Sequence, residues 1–155
     1  MTQVRAWYLV QCKPRQDERA EENLIRQGYQ CVRPLCARDK FHRGRRQLVI
    51  ESLFPGYLFI HMPQESSWAP LRSTRGVSRI VSFGGSPLAV GEELITSILE
   101  RAELEKQISL NATDSAVSMR GGCSELDGIF MSTNGEERVL LLINILNRQQ
   151  QVELQ

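Results

Sequence analysis

GYLFIHM, residues Gly56 to Met62, decides the fold: it is rich in aromatic and branched residues and reads as a buried strand. A second run of the same kind, AWYLVQC at Ala6 to Cys12, also reads as a buried strand. Between the two, Pro14 suits a first helical turn and Gly28 a C′ stop. The helix they bound turns Ala20, Leu24 and Ile25 inward. Gln30 to Pro34 reads as a short strand. Arg38 to His42 and Gln47 to Ser52 flank His42-Arg43-Gly44-Arg45-Arg46, a glycine-containing hairpin tip whose arginines could touch duplex phosphates.

Downstream, Ser66 to Thr74 reads as a short helix that Pro70 limits to about a turn on either side. GVSRIVSF, Gly76 to Phe83, alternates like a strand with mixed faces. Gly91 to Glu105 places Leu94, Ile95, Ile98, Leu99 and Ala102 at helical spacing. Strands and helices mixed in this way, with a hairpin, predict an α+β sandwich. Lys106 to Ser115 is polar and reads as a linker, which divides the chain into 1–105, 106–115 and 116–155. The last unit is too small to hold a large core alone, and its signals conflict. Asn134-Gly135 is a hairpin-turn signal between Gly128 to Met131 and Val139 to Ile143. Yet Glu136 to Leu154 is full of Leu, Glu, Arg and Gln, which favour helix.

The chain of 155 residues is 41% hydrophobic and 24% charged, which is a globular rather than a disordered balance. No apolar run approaches the length of a membrane span, and Arg5, Gln11, Lys13 and Arg15 interrupt any signal-peptide core, so the expectation is a cytoplasmic protein. The net charge of +1 hides an asymmetry: residues 1 to 46 carry eleven Lys+Arg against five Asp+Glu, and the remainder carries eight against thirteen. A basic first third suits a polyanionic partner, although a merely solvated basic surface would look the same.

On the first helix, Gln16, Arg19, Asn23, Arg26 and Gln27 fall within about one third of the circumference, with Lys13 just before it. Arginine forks suit phosphates and the guanine edge, and amides suit adenine or an unpaired base. An ordinary exposed helix face is the plainer account of this stripe. Thr74-Arg75, at a turn entering a strand, adds a second basic element.

Catalytic signals are weak. The sequence has no Walker loop, no G-x-S-x-G elbow, no H-E-x-x-H and no paired-carboxylate motif. Cys12, Cys31, Cys36 and Cys123 have no second Cys or His pair to complete a zinc site, so no metal and no cofactor is expected. A Cys-dependent enzyme using Cys12 or Cys36 with His42 is the competing class, but nothing positions that pair, and the chain does not read as an enzyme.

Several of these segments resemble the NusG family. WYLVQCKPRQ is similar to its W-Y-x-x-x-x-K opening, and LFPGYLFI at Leu53 to Ile60 to its LFPxYLF signature. CVRP at Cys31 to Pro34 and STRGVSRIVSFGGSP at Ser73 to Pro87 resemble the RfaH branch. The resemblance implies a NusG N-terminal α/β sandwich that binds the clamp helices of RNA polymerase and suppresses pausing and termination. It implies contacts from Lys13, Arg19, Asn23, Arg26, Gln27, Thr74 and Arg75 to a hairpin in the non-template DNA strand. Asn23 stands where the branch has a His, which bears on base preference. The polymerase pocket would use Phe54, Tyr57, Phe59 and Phe83, with Trp68 as a further contact; these aromatics could equally be plain core. Ser67-Trp68-Ala69 replaces the branch's His-Thr-Thr gate-loop triplet, and its Trp follows the general NusG pattern. The tail resembles a degenerate KOW domain, a helical hairpin when packed on the pocket and a five-stranded barrel recruiting ribosomal protein S10 when released. Glu51 and Arg138 match the branch's latch. The expected particle is a monomer without membrane contact, and the alternative within the family is a general NusG factor recruited without a DNA element.

Overall fold

The computed structural model describes residues 5–63, 67–111 and 125–153. Its centre is strand β1 (Arg5–Cys12), which pairs antiparallel with β5 (Tyr57–Pro63) on one side. On the other side it pairs with β6 (Val77–Ile80) and with β9 (Ala89–Val90). Short β2 (Gln30–Val32) extends the sheet beyond β5, giving the order β2-β5-β1-β6 with β9 off that path.

Side chains of the two central strands alternate between faces, as a period of two requires. Tyr8, Val10 and Cys12 of β1 and Leu58, Ile60 and Met62 of β5 enter one core. Helix α1 (Asp17–Arg26) seals that core with Ala20 and Leu24. Ile25 does not join them and is 54% exposed, because one residue beyond Leu24 it is rotated about 100° off the buried stripe. The helix starts at Asp17, so Pro14 belongs to the preceding turn rather than to the first helical turn. Gly28, at φ 96°, ends it in the expected C′ role.

The other faces of β1 and β5 give Trp7, Leu9 and Phe59 to a second core, closed by α3 (Glu92–Asn111) through Ile95 and Ile98. Helix α3 runs six residues past Glu105 into the stretch read as linker; residues 112–115 of that linker lie outside the described residues.

A separate ribbon pairs β3 (Leu35–His42) with β4 (Arg45–Ser52) in continuous register from Leu35↔Ser52 to His42↔Arg45. Its tip is only Arg43-Gly44, both at positive φ, 55° and 78°, which matches the twist of the flanking strands better than the five-residue tip expected. The expected helix near Pro70 is the single turn α2 (Ala69–Arg72). GVSRIVSF is not one strand: it breaks at Val81 into β6 and β7 (Ser82–Phe83), and β7 pairs with β8 (Ser86–Pro87).

The tail is helical, with α4 (Glu125–Met131) and α5 (Gly135–Glu153). Asn134 starts α5 as a cap: its Oδ1 accepts the backbone N–H of Glu136 at 2.8 Å and of Glu137 at 3.3 Å. The Asn-Gly pair therefore serves here as a helix start and not as a hairpin turn.

Candidate functional site

Two surfaces gather the residues singled out in the sequence. The first is the edge where α1 meets the turn from α2 to β6. Gly76 makes this meeting possible. It sits at φ +96°, and a Cβ there would lie 2.7 Å from the Ala20 backbone nitrogen. The turn is then laced to the helix. Asn23 Nδ2 donates to the Arg75 carbonyl at 3.1 Å, and Gln27 Nε2 donates to the Thr74 hydroxyl at 2.8 Å. That hydroxyl donates onward to the Pro70 carbonyl at 2.8 Å, and Thr74 is buried.

The lacing divides the seven predicted contacts by role. Asn23, Gln27 and Thr74 are committed to holding the edge together, and Arg26 leans on Asn23 Oδ1 at 3.1 Å. Lys13, Arg19 and Arg75 are exposed, and their side chains have no partner among the described residues. The edge thus offers three open cations and a fourth held by one neutral bond, on a backbone fixed by amide hydrogen bonds. Such an array fits phosphate and base-edge acceptors.

The second surface is the apolar face of β1, β5 and the Leu53-Phe54 segment. Phe54 and Phe59 meet edge-to-face with centroids 6.0 Å apart, and both are fully buried. Tyr57 packs half-buried against the same cluster. The tail covers this face: Ile129 of α4 and Val139, Leu142, Ile145 and Leu146 of α5 belong to the same core. Gly135 lets α5 approach, since a Cβ there would fall 2.5 Å from Pro55 Cγ.

The five aromatic residues expected to meet polymerase, four as a pocket and Trp68 as a further contact, do not share one surface. Phe83 is exposed on the β7–β8 ribbon. Trp68 lies against the opposite core, edge-on to Tyr8 at 4.9 Å. The approach of α2 to β6 places it there, so Trp68 does not share a surface with Phe54, Tyr57 and Phe59.

Polar bonds at the rim of the covered face centre on Arg138, which is 1% exposed. Its Nε donates to the Leu53 carbonyl at 2.7 Å and its Nη1 to the Ser132 carbonyl at 3.0 Å. Glu51 Oε2 stands 4.0 Å from Arg138 Nη2, within ion-pair range but beyond a hydrogen bond, and Lys40 holds the other Glu51 oxygen at 3.4 Å. Sequence reasoning missed two more arginines. Arg38 on β3 donates to the carbonyls of Ser132 at 3.1 Å and Thr133 at 2.6 Å. Arg101 on α3 pairs with Asp127 of α4 at 2.9 Å and sits over the Phe130 ring at 5.1 Å. Basic residues recurring on a strand and on a helix face were the available signal, but long-range partners leave no local pattern.

Among the described residues the cysteines do not form a reactive site. Burial, and then Asp17, push the Cys12 thiol up to about 12; burial, and then Glu21, push Cys31 up to about 11. Cys36 is raised by burial too. Such thiols stay protonated at neutral pH and are poor nucleophiles. Cys123 lies outside the described residues. Among the described residues no group of three or more His, Cys, Asp or Glu side chains could hold a metal ion, and no helix is long and apolar enough to cross a membrane.

The fold and its two surfaces define a mixed α/β sheet protein with a cationic edge beside its first helix and an apolar face under its own C-terminal helices. The family model described as "Transcription termination factor nusG" matches residues 5–99. The chain belongs to the NusG family. It is similar to the Thermus thermophilus "Transcription termination/antitermination protein NusG", 26% identical over 177 residues that span 96% of this chain and 94% of that protein. The Deinococcus radiodurans protein of the same name is 23% identical over 179 residues, with 96% and 94% covered. The Chlamydia trachomatis one is 24% identical over 165 residues, with 95% and 89% covered. A solved structure titled "Domain interaction in Thermotoga maritima NusG" aligns with a TM-score of 0.46 and 27% identity, over 66% of this chain and 60% of that one.

Proposed function

We propose that the chain is a transcription elongation and antitermination factor of the RfaH type, not an enzyme. It binds the clamp helices of RNA polymerase and a non-template DNA element in the cytoplasm, as a monomer. The observation that carries this reading is an asymmetry between the two surfaces. The cationic edge of Lys13, Arg19, Arg26 and Arg75 is open, whereas Phe54 and Phe59 lie under α4 and α5. A factor whose DNA edge is free and whose polymerase face is covered meets template sequence first and polymerase second.

On this reading residues 1–105 form the polymerase- and DNA-binding unit, 106–115 the linker and 116–155 a KOW-like unit. Release of the last unit would expose Phe54, Tyr57 and Phe59 and free it to refold as a barrel that recruits ribosomal protein S10. Phe83, exposed on its ribbon, extends the polymerase contact, whereas Trp68 would reach polymerase only from the opposite core. Glu51 belongs to the latch, with Arg138 as its main element.

The second reading, a general factor acting on every template, draws on the names of the relatives, which are those of NusG itself. Footprinting and pause assays on stalled elongation complexes over random-sequence templates separate the two. Enrichment of one non-template motif among responding templates is expected. A uniform response would establish the general factor instead.

A further inference from the structure

A cavity of about 150 Å³ lies where β3, Leu53, α3 and the α4–α5 turn meet, with Cys36, Arg38, Glu105, Ser109, Ser132 and Arg138 in its wall. Two guanidiniums converge there on one neutral acceptor. Arg38 Nη1 and Arg138 Nη1 lie 3.1 Å and 3.0 Å from the same Ser132 carbonyl. Arg138 Nη2 is buried and has no hydrogen-bond acceptor among the described residues. The Glu51 carboxylate is 4.0 Å from it and already serves Lys40.

Among the described residues Glu105 is the one carboxylate in the cavity wall, and Arg101 engages it at 3.0 Å. The Cys36 thiol, raised by burial, stays neutral and adds no negative charge. Two like charges on a single carbonyl repel, and a buried N–H without an acceptor is costly. Both defects are removed by one negative ion between the two arginines.

We propose that this cavity binds a small inorganic anion, a halide or a compact oxyanion, clamped between Arg38 and Arg138. Water needs roughly 30 Å³ per molecule in the liquid, so the space admits an ion of chloride to phosphate size with its remaining hydration. The two arginines belong to different halves of the structure. Arg38 is on the ribbon and Arg138 on α5, so the site exists only while the tail is seated. Anion binding and tail seating are therefore linked, and the anion favours the covered state. This is opposite in sign to simple screening, by which salt weakens the Glu51–Arg138 attraction. The proposal stands whatever the covered face binds.

Hydrogen exchange of the α5 amides in the full-length chain tests it, in sodium chloride, sodium phosphate and sodium gluconate at matched ionic strength. Gluconate is the control, because its six-carbon chain is too large for the cavity. Exchange is expected to slow in chloride or phosphate by a factor of one plus the anion concentration over its dissociation constant, about threefold at twice that constant, and not in gluconate. Arg38→Met removes one clamp and should abolish the difference between anions; Arg38→Lys should retain part of it. Should Arg38→Met fail to seat the tail, Ser109→Leu, which intrudes on the cavity from α3, takes its place with the same expectation. Equal exchange in all three salts would mean that water fills the cavity, and uniform acceleration would mean screening alone. Anion selectivity that survives Arg38→Met and Ser109→Leu would place the ion elsewhere. Each of these three results overturns the proposal.

Discussion

Arg138 Nε holds the main-chain carbonyl of Leu53 at 2.7 Å across 85 positions of sequence. At this point the tail is fastened to backbone, with Glu51 as an accessory at 4.0 Å, and it is fastened to α3 by the Arg101–Asp127 pair at 2.9 Å.

Arg138→Met is expected to loosen the tail far more than Glu51→Ser. The first leaves the Leu53 carbonyl without its buried donor and takes one of two donors from Ser132, about 1–3 kcal/mol for each group left unsatisfied. The second removes an ion pair whose carboxylate is partly exposed, about 0–1 kcal/mol. A charge swap, Glu51→Arg with Arg138→Glu, should not restore seating, because a carboxylate cannot donate to either carbonyl. Urea titration followed by exchange of α5 amides ranks the three variants. If Glu51→Ser matched Arg138→Met, the ion pair would be the stronger fastening after all.

Removing the tail should leave polymerase binding at least as strong as in the intact chain. A chain ending at Asn111 keeps Ile95 and Ile98 on the sheet and uncovers Phe54 and Phe59. Its affinity for purified elongation complexes is the measurement. Weaker binding than the full chain would show that α4 and α5 do not mask the polymerase face.

Arg75→Ala and Arg26→Ala should each reduce recruitment at a preferred element by about 1–3 kcal/mol while the midpoint of unfolding stays unchanged. Equal losses on every template would reveal phosphate contacts alone. Gly76→Ala should instead damage folding and recruitment together, since its Cβ would meet the Ala20 backbone at 2.7 Å.

Stability should fall in alkali through the cysteines. Cys12 and Cys31 have folded values of about 12 and about 11 against an ordinary 9.0, so the folded state holds these protons more tightly than the unfolded chain does. Their contribution is complete below pH 9 and declines as pH rises from 9 toward 11 and 12. Denaturant midpoints measured at pH 8 and pH 10 should differ in that direction. In Cys12→Ala with Cys31→Ala the difference should shrink.

Much of the sheet was legible because period and composition act locally. Tyr57 to Met62 could be placed without knowing its neighbours, and so could Ala20 and Leu24 on the inner face of α1. The break at Val81 was not legible, since Val77, Arg79, Val81 and Phe83 alternate without interruption through it. The helical state of the tail was only half legible. Asn134-Gly135 satisfies a hairpin turn and a helix cap equally well, and what decides is the apolar face of Phe54 and Phe59 that α5 can cover. On the polar edge, helical spacing grouped Arg19, Asn23, Arg26 and Gln27 on one side of α1. It could not say that Asn23 spends a hydrogen bond on the Arg75 carbonyl, Gln27 on the Thr74 hydroxyl and Thr74 on the Pro70 carbonyl. The place of Trp68 against the Tyr8 core was not legible either, because sequence nearness does not tell which face of the sheet a loop residue will reach.

The approach of Gly135 to Pro55 leaves a mark that heredity can be read by. In the covered form any side chain at 135 would strike the Pro55 ring, whereas a tail freed from the sheet meets no such obstacle. Change at this one site therefore costs the covered form a shift of Pro55 and costs the uncovered form nothing of that kind. A side chain at 135 in a descendant gene requires either a change at Pro55 or the loss of self-covering.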